Sequence, residues 1–228
     1  MIKLFCGFDE REAVGTHVFV SSVMRRASMP VAYIPLHLLN LQGYTESHQD
    51  GSNAFIYSRF LVPWITGWHG FAIFADGADM ICRADIAELW KLADPNMAVQ
   101  VVKHDYLSKY ERKYVGTSME THNENYPRKN WSSLMIMNCS HRSWRQITPE
   151  TIGAMTGAKL HRFSFIEDRY IGELPSEWNH LVMEYPLNRE AKIAHFTLGI
   201  PAFPEYRHDY FGEEWREELR HVNKVIAC

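Results

Sequence analysis

Short apolar runs alternate with segments of helical spacing along the first half of the chain. The runs at 2–6, 31–36, 70–75 and 97–103 predict buried strands, because each is short and bounded by Gly, Pro or polar residues. Between the first two runs, residues 13–24 carry apolar side chains at uneven helical spacing. Strands that alternate with helices predict an α/β fold with a mostly parallel central sheet flanked by helices.

The second half of the chain continues this pattern less regularly. The run at 134–138 predicts another strand, and 193–197 predicts the last one. Residues 148–150, Thr-Pro-Glu, suit the N-cap, first position and acidic first turn of a helix. The charged amphipathic segment at 213–225 predicts a C-terminal helix.

Two polar stretches without clear periodicity separate these elements. Residues 42–53 predict a surface loop, and the Lys- and Tyr-rich residues 105–129 predict a loop or lid. The sequence contains no internal repeat and no low-complexity tract. A chain of 228 residues, 46% of them hydrophobic, is expected to form one domain with a sizeable core.

Charge and cysteine content restrict the partners and the compartment. The 24 basic and 27 acidic residues give a formal net charge of -3, and no basic block is present, which argues against nucleic acid as a partner. Cys6, Cys82 and Cys139 sit in or beside apolar runs and are predicted to be buried free thiols. No leader peptide or transmembrane segment is recognisable, so a cytoplasmic protein is expected.

The strand predicted at 70–75 runs into two carboxylates, Asp76 and Asp79, with Gly77 and Ala78 between them. Two carboxylates in one turn can share a hard cation, because both offer anionic oxygen ligands. Such a cation can neutralise a diphosphate. The motif alone fits equally well a turn in which the aspartates cap the backbone.

Several further motifs accompany this one in a fixed order. They are Cys6-Gly7-Phe8-Asp9-Glu10-Arg11-Glu12, Tyr57-Ser58-Arg59-Phe60, Phe74-Ala75-Asp76-Gly77-Ala78-Asp79, the strand 134–139, Ile171-Gly172-Glu173-Leu174-Pro175 with Trp178-Asn179, and His195-Phe196-Thr197-Leu198-Gly199. The ordered set resembles the GT-A glycosyltransferases, in particular glycogenin-like family 8, over residues 2 to about 201.

The resemblance implies a Rossmann-like GT-A domain, with a nucleotide-binding part at about 1–104 and an acceptor-side part at about 105–228. It implies transfer of a hexose from a UDP-sugar, with UDP-glucose or UDP-galactose favoured, and retention of the anomeric configuration. The acceptor would be a glycan, a lipid or a protein that the sequence does not identify. The assembly could be a homodimer.

The resemblance also makes Asp76, Asp79 and His195 the protein ligands of Mn²⁺ or Mg²⁺. The metal would act as a Lewis acid on the departing nucleoside diphosphate. Taken alone, His195 reads as an ordinary strand histidine. The acids are one residue further apart than in the family's DXD motif, so one of them could contact the metal through water or touch the ribose instead. Asp79 is predicted to be the surer direct ligand.

Further residues are predicted to hold the donor. The full set is Gly7, Phe8, Asp9, Arg11, Tyr57, Arg59, Asp76, Gly77, Ala78, Lys103, Asn138 and Gly199. Phe8 and Asp9 could bind the base, although a helix N-cap is the rival role for Asp9. Arg59, in a helix predicted over 54–64, or Arg11, could grip phosphate or sugar, and a surface salt bridge is the alternative.

The transfer step is assigned to the segment around residue 168. The resemblance implies that Asp168, with Glu167 in reserve, lies beneath the anomeric carbon, although a solvated acidic turn fits the same residues. The predicted lining of the sugar or acceptor pocket is Asn138, Trp131, Trp178 and Asn179. Core packing is the alternative for both tryptophans.

Two other function classes stay open. A nucleotide-sugar hydrolase or nucleotidyltransferase would need the same metal–diphosphate arrangement. The acidic loop at 7–11 differs from the Gly-rich basic loop that is typical of nucleotidyltransferases. A non-catalytic nucleotide- or carbohydrate-binding module would not need three metal ligands from distant segments.

Overall fold

A computed structural model describes residues 1–48 and 53–224. The strands are β1 (Ile2–Gly7), β2 (Val31–Leu36), β3 (Phe71–Ala75), β4 (Met80–Cys82), β5 (Val99–Val101), β6 (Arg112–Lys113), β7 (Thr121–His122), β8 (Leu134–Asn138), β9 (Ile171–Glu173), β10 (His180–Leu181) and β11 (Ile193–His195). The α-helices are α1 (Ala13–Met24), α2 (Val62–Ile65), α3 (Ile86–Trp90), α4 (Pro149–Ile152), α5 (Gly157–His161) and α6 (Gly212–Val222).

The central sheet has the strand order β2-β1-β3-β8-β5-β9. β1 is parallel to β2 and β3, and β5 is parallel to β9, whereas β8 is antiparallel to both of its neighbours. The predicted α/β class with a mostly parallel sheet is therefore confirmed. Because β8 is reversed, Leu134 at its start pairs with Ala75 at the end of β3, and Asn138 pairs with Phe71 at the opposite edge.

Strand β3 is apolar throughout because both faces of the sheet are covered. Ala72 and Phe74 belong to one buried cluster, and Ile73 and Ala75 belong to the cluster on the other side. A strand that is buried on both faces has no polar alternation. The first charged residue after this strand is Asp76, directly at its carboxyl end.

A small second sheet, β10-β11-β4, brings the late part of the chain to this end of β3. β11 runs antiparallel to β4, with His195 paired with Met80. The Phe196 N–H donates to the Asp79 carbonyl at 2.7 Å. These bonds fix His195 beside the turn that holds the two aspartates.

Helix α6 packs against α1. Trp215 is fully buried, and the buried Glu218 carboxylate accepts from Arg25 at 2.8 Å and Arg26 at 2.7 Å. The prediction of a C-terminal amphipathic helix is confirmed from Gly212 to Val222, and residue 225 lies outside the described residues.

The predictions for residues 54–64 and for the two polar stretches are confirmed only in part. The prediction of a helix over 54–64 was wrong in extent. Residues 54–57 form turns, a 3₁₀ segment follows at Ser58–Leu61, and α2 comes next with Pro63 in its first turn. The polar stretch 105–129 is a loop that contains only the hairpin β6–β7, and residues 49–52 of the predicted loop 42–53 fall outside the described chain. No helix within the described ranges has the length and apolar character needed to cross a membrane.

Candidate functional site

Asp76 and Asp79 lie in the tight turn between β3 and β4. Gly77 has a φ of +75°, a left-handed conformation that favours glycine. Gly15 in α1 lies so close that an added Cβ would be 1.8 Å from the Ala78 carbonyl oxygen. Glycine at these two positions therefore lets the turn fit closely against α1.

The structure brings Asp76, Asp79 and His195 together, with one ligand atom from each lying within 4.8 Å of the others. All three side chains are largely buried. His195 Nε2 lies 3.1 Å from Asp79 Oδ2, while Asp79 Oδ1 is buried without a hydrogen-bond partner among the described residues. Two carboxylates and an imidazole are suitable ligands for a divalent metal ion, so this cluster could bind one.

Asn179 orients the histidine from behind. Its Oδ1 lies 2.9 Å from His195 Nδ1, and its Nδ2 donates to Ser133 Oγ at 2.9 Å. The amide oxygen can accept from an Nδ1–H group, and in that tautomer Nε2 keeps its lone pair for a cation. Asn179 was predicted to line the sugar or acceptor pocket; the structure places it fully buried behind the metal-ligand candidate His195.

Arg59 pairs with Asp76 inside the protein. Its Nη1 donates to Asp76 Oδ1 at 2.5 Å and to the Ser132 carbonyl at 3.1 Å. The guanidinium also packs against the rings of Phe55 and Phe74, at 5.4 and 5.1 Å from their centroids. Arg59, predicted to grip phosphate or sugar, therefore lies beside a metal-ligand candidate. The alternative, a surface salt bridge, does not fit a side chain that is only 4% exposed.

Burial shifts the ionisation of the acidic groups at this site. It raises the pKa of Asp76 to about 6, although Arg59 acts in the opposite direction. It raises the pKa of Glu12 to about 8, and the charges of Asp79 and Asp9 add to this effect. Glu12 is 2% exposed, and its Oε1 has no hydrogen-bond partner within the described chain.

Glu12 is expected to make metal-free stability fall with rising pH. The folded pKa lies above the unfolded one, so between about pH 5 and pH 8 the native state holds a proton that the unfolded state has released. The free energy of unfolding should fall across this window by up to about 1.4 kcal/mol per pH unit. Urea denaturation in EDTA should show a weaker pH dependence for Glu12→Gln, and the exposed control Glu10→Gln should match the parent. An unchanged pH dependence in Glu12→Gln would contradict this assignment.

Asp76, Asp79 and His195, called the triad below, line a cavity at the carboxyl edge of the sheet, the triad's cavity. The other lining residues are Asn53, Ile56, Arg59, Lys113, Tyr114, Tyr126, Asn130, Ser132, Ser133, His161 and Thr197. His161 Nδ1 lies 2.7 Å from Ser132 Oγ, and burial lowers the pKa of this histidine to about 3, so that it is neutral.

Sequence reasoning missed most of this lining. Lys113, Tyr114, Tyr126 and Asn130 come from the stretch 105–129 and the residue after it, which the sequence predicted only as a loop or lid. The high Lys and Tyr content of this stretch was the feature of the sequence that could have indicated a role at the site. His161 had none, because nothing in the sequence shows that α5 returns to the sheet edge.

The predicted base-binding residues are occupied by local contacts. Asp9 accepts from the backbone N–H groups of Arg11 and Ala54, each at 3.0 Å, and its Oδ2 pairs with the Arg11 guanidinium at 2.6 Å. The N-cap alternative for Asp9 therefore describes this structure. Phe8 packs edge-on against His37, with 5.2 Å between ring centroids.

Three other predicted donor contacts have visible packing roles. A Cβ on Gly7 would overlap the Phe55 ring at 2.2 Å, and one on Gly199 would overlap the Tyr206 ring at 2.2 Å. Tyr57 is 1% exposed and belongs to the hydrophobic core. Their contact with a donor stays a prediction.

Three of the predicted residues, Asn138, Asp168 and Glu167, are not among the described lining residues of the triad's cavity. Asn138 lies at the opposite edge of the sheet because β8 is reversed, and its amide donates to the Pro95 carbonyl. Asp168 and Glu167 precede β9, whose first residue pairs with the first residue of β5 at that same far edge. Asp168 is exposed and pairs with Arg128 at 2.7 Å.

Lys103 and the predicted tryptophans lie elsewhere as well. The Lys103 ammonium is 6.0 Å from the Trp131 ring centroid, and it is absent from the described lining of the cavity. Trp178 is buried in the core, with the Lys192 ammonium 4.9 Å from its ring centroid. The core-packing alternative describes Trp178.

Glycosyltransferases are among the solved structures that this chain resembles. The chain matches the bifunctional glycosyltransferase WbbM with a TM-score of 0.67 at 14% identity, covering 96% of this chain and about half, 49%, of that one. It matches the galactosyltransferase LgtC with a TM-score of 0.58 at 12% identity, covering 99% and 98%. GlyE of Streptococcus pneumoniae TIGR4 gives a TM-score of 0.61 at 11% identity, covering 96% and 61%. The fold is therefore the GT-A glycosyltransferase fold.

A relative in sequence gives the family. The chain is 36% identical over 231 residues to Protein CDI of Arabidopsis thaliana, covering 97% of this chain and 87% of that protein. The chain belongs to the family of Protein CDI. No protein-family model matches it, and the narrower likeness to glycogenin-like enzymes stays a prediction.

Proposed function

We propose that the protein is a metal-dependent glycosyltransferase that transfers a hexose from a UDP-sugar, with UDP-glucose or UDP-galactose favoured, and retains the anomeric configuration. The observation that carries the proposal is the buried cluster of Asp76, Asp79 and His195 at the carboxyl edge of a GT-A sheet. Ligands of open α/β sheets bind at this edge. The likeness to LgtC, a galactosyltransferase solved with donor and acceptor sugar analogues, supports the substrate class.

The ligand set fits Mn²⁺ or Mg²⁺. Asp79 Oδ1 is buried and has no partner in the described chain, and an oxygen of this kind can bind a cation directly. Asp76 already shares one oxygen with Arg59. A bound ion would neutralise charge that develops on the departing diphosphate.

Lys113 is the chain's own candidate contact for that diphosphate. Its ammonium faces the triad's cavity and forms no ion pair or hydrogen bond with another described residue. Burial lowers the pKa of Lys113, and the charges of Asp79, Asp76 and Glu12 act in the opposite direction. A cation beside the metal site can hold a phosphate oxygen and leave Arg59 to position Asp76.

Both predicted parts of the domain contribute to this site. Residues 1–104 supply Arg59 and the two aspartates, and residues 105–228 supply Lys113 and His195. Asp168 pairs with Arg128 and is not among the described lining residues of the triad's cavity. Retention therefore rests on the family resemblance, and the acceptor, whether glycan, lipid or protein, is to be found by assay.

The proposal is tested with UDP-glucose, UDP-galactose and other nucleotide sugars, each incubated with Mn²⁺, with Mg²⁺ and with EDTA. Released UDP should appear only with metal, and NMR of a product should show the donor's anomeric configuration. Absence of metal-dependent release from every donor would reject the proposal. Release to water in the presence of every acceptor class would favour a hydrolase, and UDP binding indifferent to Mn²⁺ would favour a binding module.

A further inference from the structure

A second cavity of about 370 Å³ adjoins the one at the metal-ligand cluster. The two cavities share Ile56, Lys113, Tyr126, Asn130 and Thr197 as common walls. The rest of the second cavity is lined by residues 121–124 and Lys129. Its walls come mainly from the stretch 105–129, so this stretch builds a polar chamber next to the proposed donor site.

Lys129 is the unusual residue of this chamber. Lys129 is only 8% exposed, and its ammonium donates to Asn123 Oδ1 at 2.7 Å. The ammonium also lies 5.7 Å from the Tyr106 ring centroid. An ammonium has three donors, and the described chain gives this one a single hydrogen-bond acceptor and no ion pair.

The charge of the chamber is not balanced by its own walls. Lys113 and Lys129 both line it, and Glu124, which is exposed, is the one carboxylate among the described lining residues. Burial lowers the pKa of Lys129 to about 8, Glu184 acts in the opposite direction, and Lys113 adds to the lowering. Buried cations without a paired anion are costly, and they concentrate at sites that bind one.

We propose that this chamber binds an anionic group of the acceptor, a sugar carrying a carboxylate or a phosphate, through Lys129. The inference rests on the proposed glycosyltransferase function, since it takes the neighbouring cavity as the donor site. Lys113 faces both cavities and can contact the donor's own phosphates. Lys129 does not line the triad's cavity, so an anion held by Lys129 belongs to a different group from the diphosphate at the metal.

Calorimetric titration of the full chain, saturated with UDP and Mn²⁺, tests this. The probes are methyl β-D-glucuronide, glucose 6-phosphate and the neutral methyl β-D-glucoside. At least one anionic probe should bind ten-fold or more tightly than the glucoside, and the preferred one shows whether the source is a carboxylate or a phosphate. Equal affinity for charged and neutral probes, or binding of none, overturns the inference.

Variants locate the anion. Lys129→Met, which keeps most of the stem and removes the charge, should abolish the preference for the anionic probe and leave glucoside affinity unchanged. Lys109→Met removes an exposed lysine of the same stretch and should keep the preference. A preference that survives in Lys129→Met overturns the inference.

Binding of UDP with Mn²⁺ is measured separately in the parent and in each variant. Unchanged UDP affinity in Lys129→Met shows that the donor site is intact and that the variant is folded. If the parent fails to bind UDP with Mn²⁺, the proposed function fails. If the parent binds UDP with Mn²⁺ but shows no preference for the anionic probes, only the acceptor inference fails. This comparison uses the parent protein, so it does not depend on whether a variant folds.

Discussion

Asp79→Asn is expected to reduce metal-dependent UDP release by roughly 10²–10³-fold or more, on the scale seen when one group that stabilises transition-state charge is removed. Asp79 offers a buried oxygen without a partner, whereas Asp76 is held by Arg59. This geometry supports Asp79 as the direct ligand. Asparagine keeps the size of the side chain and removes the charge that a divalent cation needs.

Stability should change little in the same variant. Asp79 contacts His195 through one oxygen, and an asparagine amide can replace that contact. Thermal unfolding, calorimetric Mn²⁺ titration and UDP release are measured together on Asp79→Asn and on Asp105→Asn, which removes an exposed carboxylate. Loss of activity without loss of folding is the expected result. Full metal-dependent turnover in Asp79→Asn would remove this residue from the metal site.

Arg59→Met is expected to lower the free energy of unfolding by about 3–5 kcal/mol, because it leaves the buried Asp76 carboxylate without its partner. The Ser132 and Ile56 carbonyls also lose a donor. The methionine side chain can still pack between Phe55 and Phe74, so lost apolar contact should contribute little. Urea denaturation in the presence of EDTA measures the effect without a metal ion to compensate.

The double variant Arg59→Met with Asp76→Asn separates charge from packing. If the cost comes from an unpaired buried charge, the second substitution should recover a large part of it. Arg112→Met is the matched control, since Arg112 pairs with Glu120 at the surface and such a pair contributes at most about 1 kcal/mol. A cost no greater than that of Arg112→Met, or no recovery in the double variant, would show that the ion pair does not hold this site together.

The sequence was enough to predict where residues next to a strand end lie in the fold. The apolar run before Asp76 shows a strand buried on both faces, so the carboxylates after it had to emerge at the sheet edge. His195 was placed beside them by resemblance to a family motif, and the pairing of β11 with β4 supplies the physical reason. Asn138 illustrates the limit, because an apolar run has no direction and β8 runs opposite to the other strands of its sheet.

The sequence alone determined the α/β class, the boundaries of the main strands to within a few residues, and the pair of carboxylates at the end of β3. These follow from local patterns of apolar and charged side chains. The tertiary structure decided which distant groups lie at the site: Lys113 in its lining, Glu12 near the carboxylates and Asn179 behind His195. It also decided that Lys129 lines the adjoining chamber. The physical reason is that a buried charge is defined by what packs around it, and strand order and direction, which set that packing, arise from contacts far apart in sequence.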